Sequence, residues 1–157
     1  MRHFRPTISF RQEPSGDPVY CKVDGERFNK PKTIKLMTES SYRIDITLKP
    51  PMTLEEASFH GQNLELVQKF GDSNACVHSS NFNTNGLKPS KKKERETMVL
   101  SLKIKEVGLL QMETQMKLYS ASSTQHCQWG TMLHGIEMEC ESSPESDYVK
   151  IIKEIYR

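Results

Sequence analysis

The sequence predicts an all-β fold, an antiparallel β-sandwich, and three stretches of alternating polarity carry this prediction. In residues 41–49 apolar and polar side chains alternate strictly, and Pro50 and Pro51 then end the pattern. The same period returns in residues 98–104 and 110–118. Successive side chains of a strand point to opposite faces, so each stretch has one apolar and one solvated face. Strands solvated on one face are typical of antiparallel sheets.

The length favours a single domain. A chain of 157 residues buries about 70% of its unfolded surface, which is enough for a core without metal or disulfide support. Hydrophobic residues make up 35% of the chain, which suits sheets that are solvated on one side. We expect one β-sandwich domain over residues 1–157.

Shorter strands are predicted at residues 7–11, 19–23, 33–37, 64–70, 76–78 and 132–140. Asp24-Gly25 predicts a two-residue hairpin turn between residues 19–23 and 26–28, because this pair accepts positive φ at both central positions. Residues 54–59 fit either a strand or one helical turn.

The C-terminus predicts a short helix. Ser143 offers a cap and Pro144 suits the first helical position. The apolar residues that follow recur at helical spacing: Tyr148, Ile151, Ile152 and Ile155. Residues 143–157 are therefore predicted to be a helical tail on the sandwich.

Charge and composition restrict the class of partner. The 22 basic and 20 acidic residues give a net charge of +2, which provides no general attraction to nucleic acid. No stretch approaches the roughly 20 apolar residues of a membrane helix, and the first residues lack the apolar segment of a secretory signal. We expect a cytoplasmic protein whose four cysteines are free thiols.

Residues 126–130, His-Cys-Gln-Trp-Gly, are the strongest candidate for chemistry. Neighbouring strand residues point to opposite faces, so His126 is badly placed to activate the thiol of Cys127. A zinc site that adds His134 and Cys140 lacks the usual ligand spacing. We predict no catalytic, cofactor or metal residues, and we expect Trp129 to pack on the core.

The run Lys91-Lys92-Lys93 is predicted to be a solvated loop between strands. Contact with anionic lipid or with an acidic protein is the alternative, but the patch is weak and stable membrane anchoring usually takes two signals. No aromatic residues interleave these lysines, as a platform for single-stranded nucleic acid would need.

Several blocks resemble the cannabinoid receptor-interacting protein 1 family: residues 22–28, 33–38, 40–42, 126–130, 136–137 and 139–140, in the order of the family. The resemblance covers roughly residues 8–141. The loop at residues 91–95, residues 132–134 and the C-terminal tail depart from the family pattern.

The resemblance implies an immunoglobulin-like sandwich similar to Rho GDP-dissociation inhibitors, without enzymatic activity. It implies an adaptor that binds the cytoplasmic C-terminal tail of a cannabinoid type-1-like G-protein-coupled receptor and modulates its signalling. The inner face of the plasma membrane would be reached through that partner. The alternative is a carrier of lipid-modified proteins, with an apolar pocket between the sheets.

A receptor tail could pair with a sheet edge or lie in a groove, while basic side chains on the wet strand faces select an acidic partner. The predicted partner-binding residues are Arg43, Lys49, Lys103 and Lys105. The edge strand at residues 7–11 is the next candidate.

Overall fold

The computed structural model describes residues 1–157, and most of them lie in thirteen β-strands. Helical structure is confined to a 3₁₀ turn, Ala121–Ser123, and one helix, α1, Thr124–Cys127. Neither segment has the length or apolar character needed to cross a membrane. The strands are β1 Arg2–Gln12, β2 Val19–Val23, β3 Lys32–Met37, β4 Ser41–Lys49, β5 Leu54–Phe59, β6 Gln62–Asn63, β7 Val67–Gly71, β8 Cys76–Asn83, β9 Glu96–Ile104, β10 Gly108–Tyr119, β11 Thr131–Leu133, β12 Ile136–Ser142 and β13 Lys150–Tyr156.

The strands form two sheets. The first sheet has six strands in the order β13-β12-β1-β4-β8-β7, and the second has seven in the order β11-β2-β3-β10-β9-β5-β6. All neighbours are antiparallel except β3 and β10, which run parallel. The predicted antiparallel all-β sandwich is therefore confirmed, with one parallel pair.

The three alternating stretches become long strands of the sandwich. β4 has the predicted bounds, lies between β1 and β8 in the first sheet, and buries its four apolar side chains. β9 and β10 pair with each other in the second sheet. Alternation identified these strands because each turns one face to the core.

The core between the sheets is one cluster of 30 buried residues. Phe10 of the first sheet and Phe59 of the second have ring centroids 5.4 Å apart, and Phe59 lies 4.9 Å from Phe82 on β8. These tilted and edge-to-face pairs add to the energy of area burial and join the two layers.

The central interior is filled. Tyr42 and Ile44 in the first sheet, and Leu102 and Met116 in the second, are all at most 3% exposed. None of these four residues lines any of five clefts on the surface. A cleft that reaches the core residues Phe59 and Phe82 has a volume of about 70 Å³, far below the roughly 300–1,000 Å³ of typical ligand pockets.

The predicted C-terminal helix is wrong. Residues 150–156 form β13, which pairs antiparallel with β12 and becomes an edge of the first sheet. Ser143 and Ser146 make a turn through a backbone hydrogen bond of 3.1 Å instead of starting a helix. The helical spacing of the isoleucines was misleading, because β-branched residues favour strands and β12 offered an unpaired edge.

The hairpin around Asp24-Gly25 is wider than predicted. β2 pairs with β3 rather than with residues 26–28, and the loop between the strands covers residues 24–31. Gly25 has the expected positive φ of 64°, but Asp24 does not. The N–H groups of both residues are bonded to the carbonyl of Pro31, which closes the wider loop.

The predicted strand at residues 132–140 is divided into β11 and β12, which belong to different sheets. The chain changes sheets at His134 and Gly135, so alternation continues in sequence across a break in the structure. Residues 54–59, which fit either structure, form the strand β5.

Candidate partner-binding site

The structure distributes the four predicted partner-binding residues over both sheets. Arg43 and Lys49 lie on β4 of the first sheet, Lys103 lies on β9 of the second sheet, and Lys105 directly follows β9. Solvated faces of the two layers point away from each other. The four residues therefore do not form one continuous surface, and their role in binding stays a prediction.

Arg43 is already paired with carboxylates. Its guanidinium donates two hydrogen bonds to Asp45, at 3.0 and 3.2 Å, and lies 3.5 Å from the carboxylate of Glu13. These residues line a polar cleft of about 780 Å³, to which Glu65 contributes a further carboxylate. The cleft offers an acidic partner little uncompensated positive charge.

Lys103 and Lys105 also have acidic neighbours. Lys103 pairs in register with Glu56 on β5, and both residues line a shallow cleft with Glu55. Lys105 precedes Glu106 in the turn between β9 and β10. The positive charge at this end of the sheet is therefore diluted.

A different part of the second sheet has a more specific construction. Residues 126–130, here called the Trp129 turn, cross the outer face of the sheet above Lys35 on β3. The ammonium of Lys35 donates hydrogen bonds to the carbonyl oxygens of His126, at 2.9 Å, and Trp129, at 2.6 Å. It also lies 5.5 Å from the ring centroid of Trp129 and 5.6 Å from that of Tyr119. Hydrogen bonds and cation–π contacts thus hold the turn to the sheet.

Two further contacts fix the backbone of the Trp129 turn. Gln128 and Gln12 exchange side-chain amide hydrogen bonds at 2.6 and 3.1 Å, which connects the turn to β1. Gly130 has a φ of 124°, and a Cβ at that position would lie 2.8 Å from the carbonyl oxygen of Cys21. Only glycine fits this close approach.

The expected packing of Trp129 on the core is wrong, because its side chain is 75% exposed. Cys127 takes the buried position of the turn instead, at 2% exposure. The indole is therefore displayed to solvent by a backbone that is itself held in place. The chain bends at Gly130, where φ is 124°.

Cys127 is poorly suited to act as a nucleophile. Burial raises the pKa of its thiol to about 11, despite the opposing effect of the Lys35 charge. The reactive form of cysteine is the thiolate, so little of it exists near neutral pH. The structure brings together no group of three or more side chains that could hold a metal ion.

A buried ion pair lies beside the Trp129 turn on the same face. Arg95 donates two hydrogen bonds of 3.1 Å to the carboxylate of Asp24, and their side chains are 5% and 0% exposed. Thr33 also donates to Asp24, and Gln115 donates to Thr33 at 2.9 Å. Burial raises the pKa of Asp24, but the hydrogen bonds from Arg95 and Thr33 outweigh it and the net shift is downward.

Positive charge predominates around this pair. Lys117 on β10 lies within range of the charges of Lys22, Lys35 and Arg95, and the opposing carboxylate is that of Asp24. Burial, followed by these cations, lowers the pKa of Lys117. Asp24 is already bonded to Arg95, and neither Lys22 nor Lys117 forms an ion pair of its own.

Sequence reasoning missed Lys35 and Arg95. Lys35 alternates with the core residues Ile34 and Leu36 and was given no role in the sequence analysis, and Arg95 belonged to the charged loop at residues 91–95. Both are buried by segments distant in sequence, which no local pattern records. The one sequence signal for these residues was the family resemblance, in which Lys35 and Trp129 lie in two separate matching blocks.

The protein is thus a filled β-sandwich that exposes a firmly held tryptophan, a residue enriched at protein interfaces, beside cations on its outer face. The chain belongs to the CB1 cannabinoid receptor-interacting protein 1 family, whose model matches residues 1–156. Proteins of that description from Bos taurus, Homo sapiens and Mus musculus are each 34% identical to it over 155 residues. The matches cover 97% of this chain and 94% of each relative. The match to the family model ends at residue 156 and so includes the C-terminal strand.

Proposed function

We propose that this protein is a non-enzymatic cytoplasmic adaptor that binds the C-terminal tail of a cannabinoid type-1-like G-protein-coupled receptor and modulates its signalling. Family membership along nearly the whole chain carries the proposal, since the relatives are named for interaction with the CB1 cannabinoid receptor. The exposed Trp129 beside unpaired cations supports it, because tryptophan is enriched among the residues that dominate interface energetics. Membrane proximity would come through the receptor.

The binding test uses the full chain and a fluorescein-labelled synthetic peptide of the CB1 receptor C-terminal tail, followed by fluorescence anisotropy. We expect saturable binding that a scrambled peptide of the same composition does not reproduce. Equal binding of the scrambled peptide, or no binding by a chain that retains its β-rich circular dichroism, would reject the receptor tail as partner.

Modulation of signalling is tested in cells that express the receptor with and without its tail. Co-expression of this protein should change the response of the full-length receptor and leave the truncated receptor unaffected. An equal effect on both receptors would place the action elsewhere than on the tail.

No observation favours the alternative of a lipid carrier. Side chains from both sheets fill the space in which a lipid chain would have to lie, and Ile44 and Leu102 have no exposed surface. Opening such a space would remove close contacts throughout a densely packed core.

A further inference from the structure

The residues on the outer face of β11, β2, β3 and β10 form one row. Met132 pairs with Tyr20, Tyr20 pairs with Lys35, and Lys35 pairs with Lys117. Directly paired residues on neighbouring strands point to the same face. The indole of Trp129 lies above this row, because its ring is positioned by the ammonium of Lys35.

We propose that the docking surface of this protein consists of Tyr20, Lys22, Lys117, Trp129 and Met132, here called the Trp129 surface. We infer that it takes an extended peptide that carries acidic side chains around an apolar anchor. The identity of that peptide as a receptor tail rests on the proposed function, but the surface itself does not.

The apolar half of the Trp129 surface is exposed and held in place. Trp129 is 75% exposed and Met132 is 41% exposed, at the edge of the second sheet. A large exposed side chain normally loses freedom when a partner binds, which opposes association. Here Lys35 and Gly130 already fix the backbone that carries the indole, so less conformational freedom remains to be lost on binding.

The charged half of the surface selects an anion. Lys22 is exposed and Lys117 is half-buried, while the neighbouring cations Lys35 and Arg95 are bonded to protein oxygens. Lys117 also donates to the carbonyl of Lys92 at 3.3 Å, which brings the lysine-rich loop to the same face. A carboxylate that approaches this face lies near several cations, so the electrostatic potential of the face favours its binding.

The strand β11 favours a peptide over a lipid surface as the occupant. β11 pairs with β2 on one side and ends the second sheet on the other, directly beside Trp129. An unpaired edge offers main-chain hydrogen bonds to an extended polypeptide, which a lipid headgroup cannot use in register. Thr131 and Met132 are exposed along this edge.

Trp129 is the only tryptophan of the chain, so its fluorescence reports directly on the surface. The probes are the CB1 receptor tail peptide and an acetylated model peptide of alternating glutamate and leucine. We expect both to shift the emission to shorter wavelength and to protect the indole from acrylamide quenching. Vesicles of phosphatidylcholine with phosphatidylserine form the third arm and should leave the emission unchanged.

The variants use labelled peptides and anisotropy, so the readout does not need the indole. Trp129→Ala should weaken peptide binding at least about 30-fold, the loss expected at an interface hot spot, with partial recovery in Trp129→Phe. Lys22→Glu should slow association, whereas its control Lys69→Glu should not, because Lys69 is also exposed but lies on β7, at an edge of the first sheet. Lys103→Glu tests the sequence-predicted residues separately, since Lys103 pairs with Leu109 at the start of β10, about 27 Å along that strand from Lys117 at about 3.4 Å per residue.

The outcomes separate the two proposals. If the tail peptide binds but neither Trp129→Ala nor Lys22→Glu affects it, the Trp129 surface is wrong and the receptor proposal stands. If only the model peptide binds, through Trp129, the surface stands and the receptor proposal is wrong. Slower association in Lys103→Glu alone would move docking to the sequence-predicted residues, and quenching protection by vesicles alone would replace the peptide with a membrane.

Discussion

The outer faces of the two sheets each carry one arginine–aspartate pair with nearly the same bidentate geometry but different burial. On the first sheet, Arg43 and Asp45 lie two residues apart on one strand, with side chains 34% and 21% exposed. On the second sheet, Arg95 and Asp24 lie 71 residues apart, with side chains 5% and 0% exposed. Because the hydrogen-bond geometry is nearly equal and the solvent exposure is not, breaking the two pairs is expected to change the free energy of unfolding by different amounts.

The two pairs also have different effects on the surfaces around them. The Arg43 pair cancels charge on an open strand face. The Arg95 pair instead joins the loop between β2 and β3 to the segment before β9, and it occupies the carboxylate that would otherwise neutralise the neighbouring lysines. A count of charges in the sequence cannot distinguish these situations, because the deciding quantity is which charges remain unpaired.

The largest expected effect comes from breaking the buried pair. Asp24→Ala leaves the Arg95 guanidinium buried without its carboxylate, and such changes cost about 3–5 kcal/mol. We therefore expect the free energy of unfolding to fall by that amount. Urea denaturation followed by circular dichroism measures it, provided that the slope of the transition stays that of the wild type.

The matched control on the other face is Asp45→Ala. Arg43 keeps Glu13 and contact with solvent, while the hydroxyl of Ser79 loses its hydrogen bond to Asp45, so the expected loss is about 1–2 kcal/mol. Similar losses in the two variants would show that burial does not separate the pairs.

Acid dependence checks the cause of the difference between these variants. The folded-state pKa of Asp24 lies below its ordinary value of 3.8, so its contribution to stability is complete above that value. The contribution is lost as pH falls through the lower folded-state pKa, because the unfolded chain takes up the proton first. The gap between wild type and Asp24→Ala should accordingly be constant near neutrality and shrink below pH 3.8.

The sequence revealed the sandwich but not the better-formed of these two faces. The alternation around Ile44 and Ile46 identifies a half-buried strand from local sequence alone. This holds whichever residues of the other sheet pack against its apolar face. Burial of Lys35 depends on a turn 91 residues away, and burial of Arg95 depends on Asp24 across the fold. Such non-local contacts leave no period in the chain.

The C-terminal error has a related origin. Ile151 and Ile155 fit a helix in sequence, and only the presence of the β12 edge decides for a strand. Tertiary pairing overrode a local pattern there. In contrast, the strict alternation of β4 left no competing structure to override.

A smaller effect tests how firmly the second face holds its tryptophan. Gly130→Ala forces a side chain into a φ of 124° with its Cβ 2.8 Å from the Cys21 carbonyl oxygen, and we expect a loss of about 2–3 kcal/mol. Gly25→Ala is the control, because its φ is 64° and no heavy atom lies within 4 Å of the new Cβ. Its expected loss is about 1 kcal/mol.

Both variants are measured by thermal and urea unfolding. In Gly130→Ala the Trp129 indole should also become easier to reorient, which lowers its fluorescence anisotropy. Equal losses of stability for the two glycine variants, with unchanged anisotropy, would contradict the inference that the backbone of the Trp129 turn is held rigidly on the sheet.

The smallest expected effect compares a thiol of the Trp129 turn with one of the first sheet. Burial raises the pKa of Cys127 to about 11 and that of Cys140 to about 12, so both should react slowly with iodoacetamide in the native protein. Cys127 lies on the four-residue helix α1, whereas Cys140 lies on β12 between β1 and β13. Opening a short helix takes less free energy than opening a strand bonded on both sides.

We therefore expect Cys127 to be alkylated first, with a rate ratio that mass spectrometry of the digested protein measures. Labelling in denaturant, where both thiols should react alike, is the control. A peptide bound to the Trp129 surface should slow Cys127 and leave Cys140 unchanged, because it holds the turn closed. Faster labelling of Cys140 would show that the first sheet, and not the turn, opens most readily, and the second face would then be the more rigid of the two.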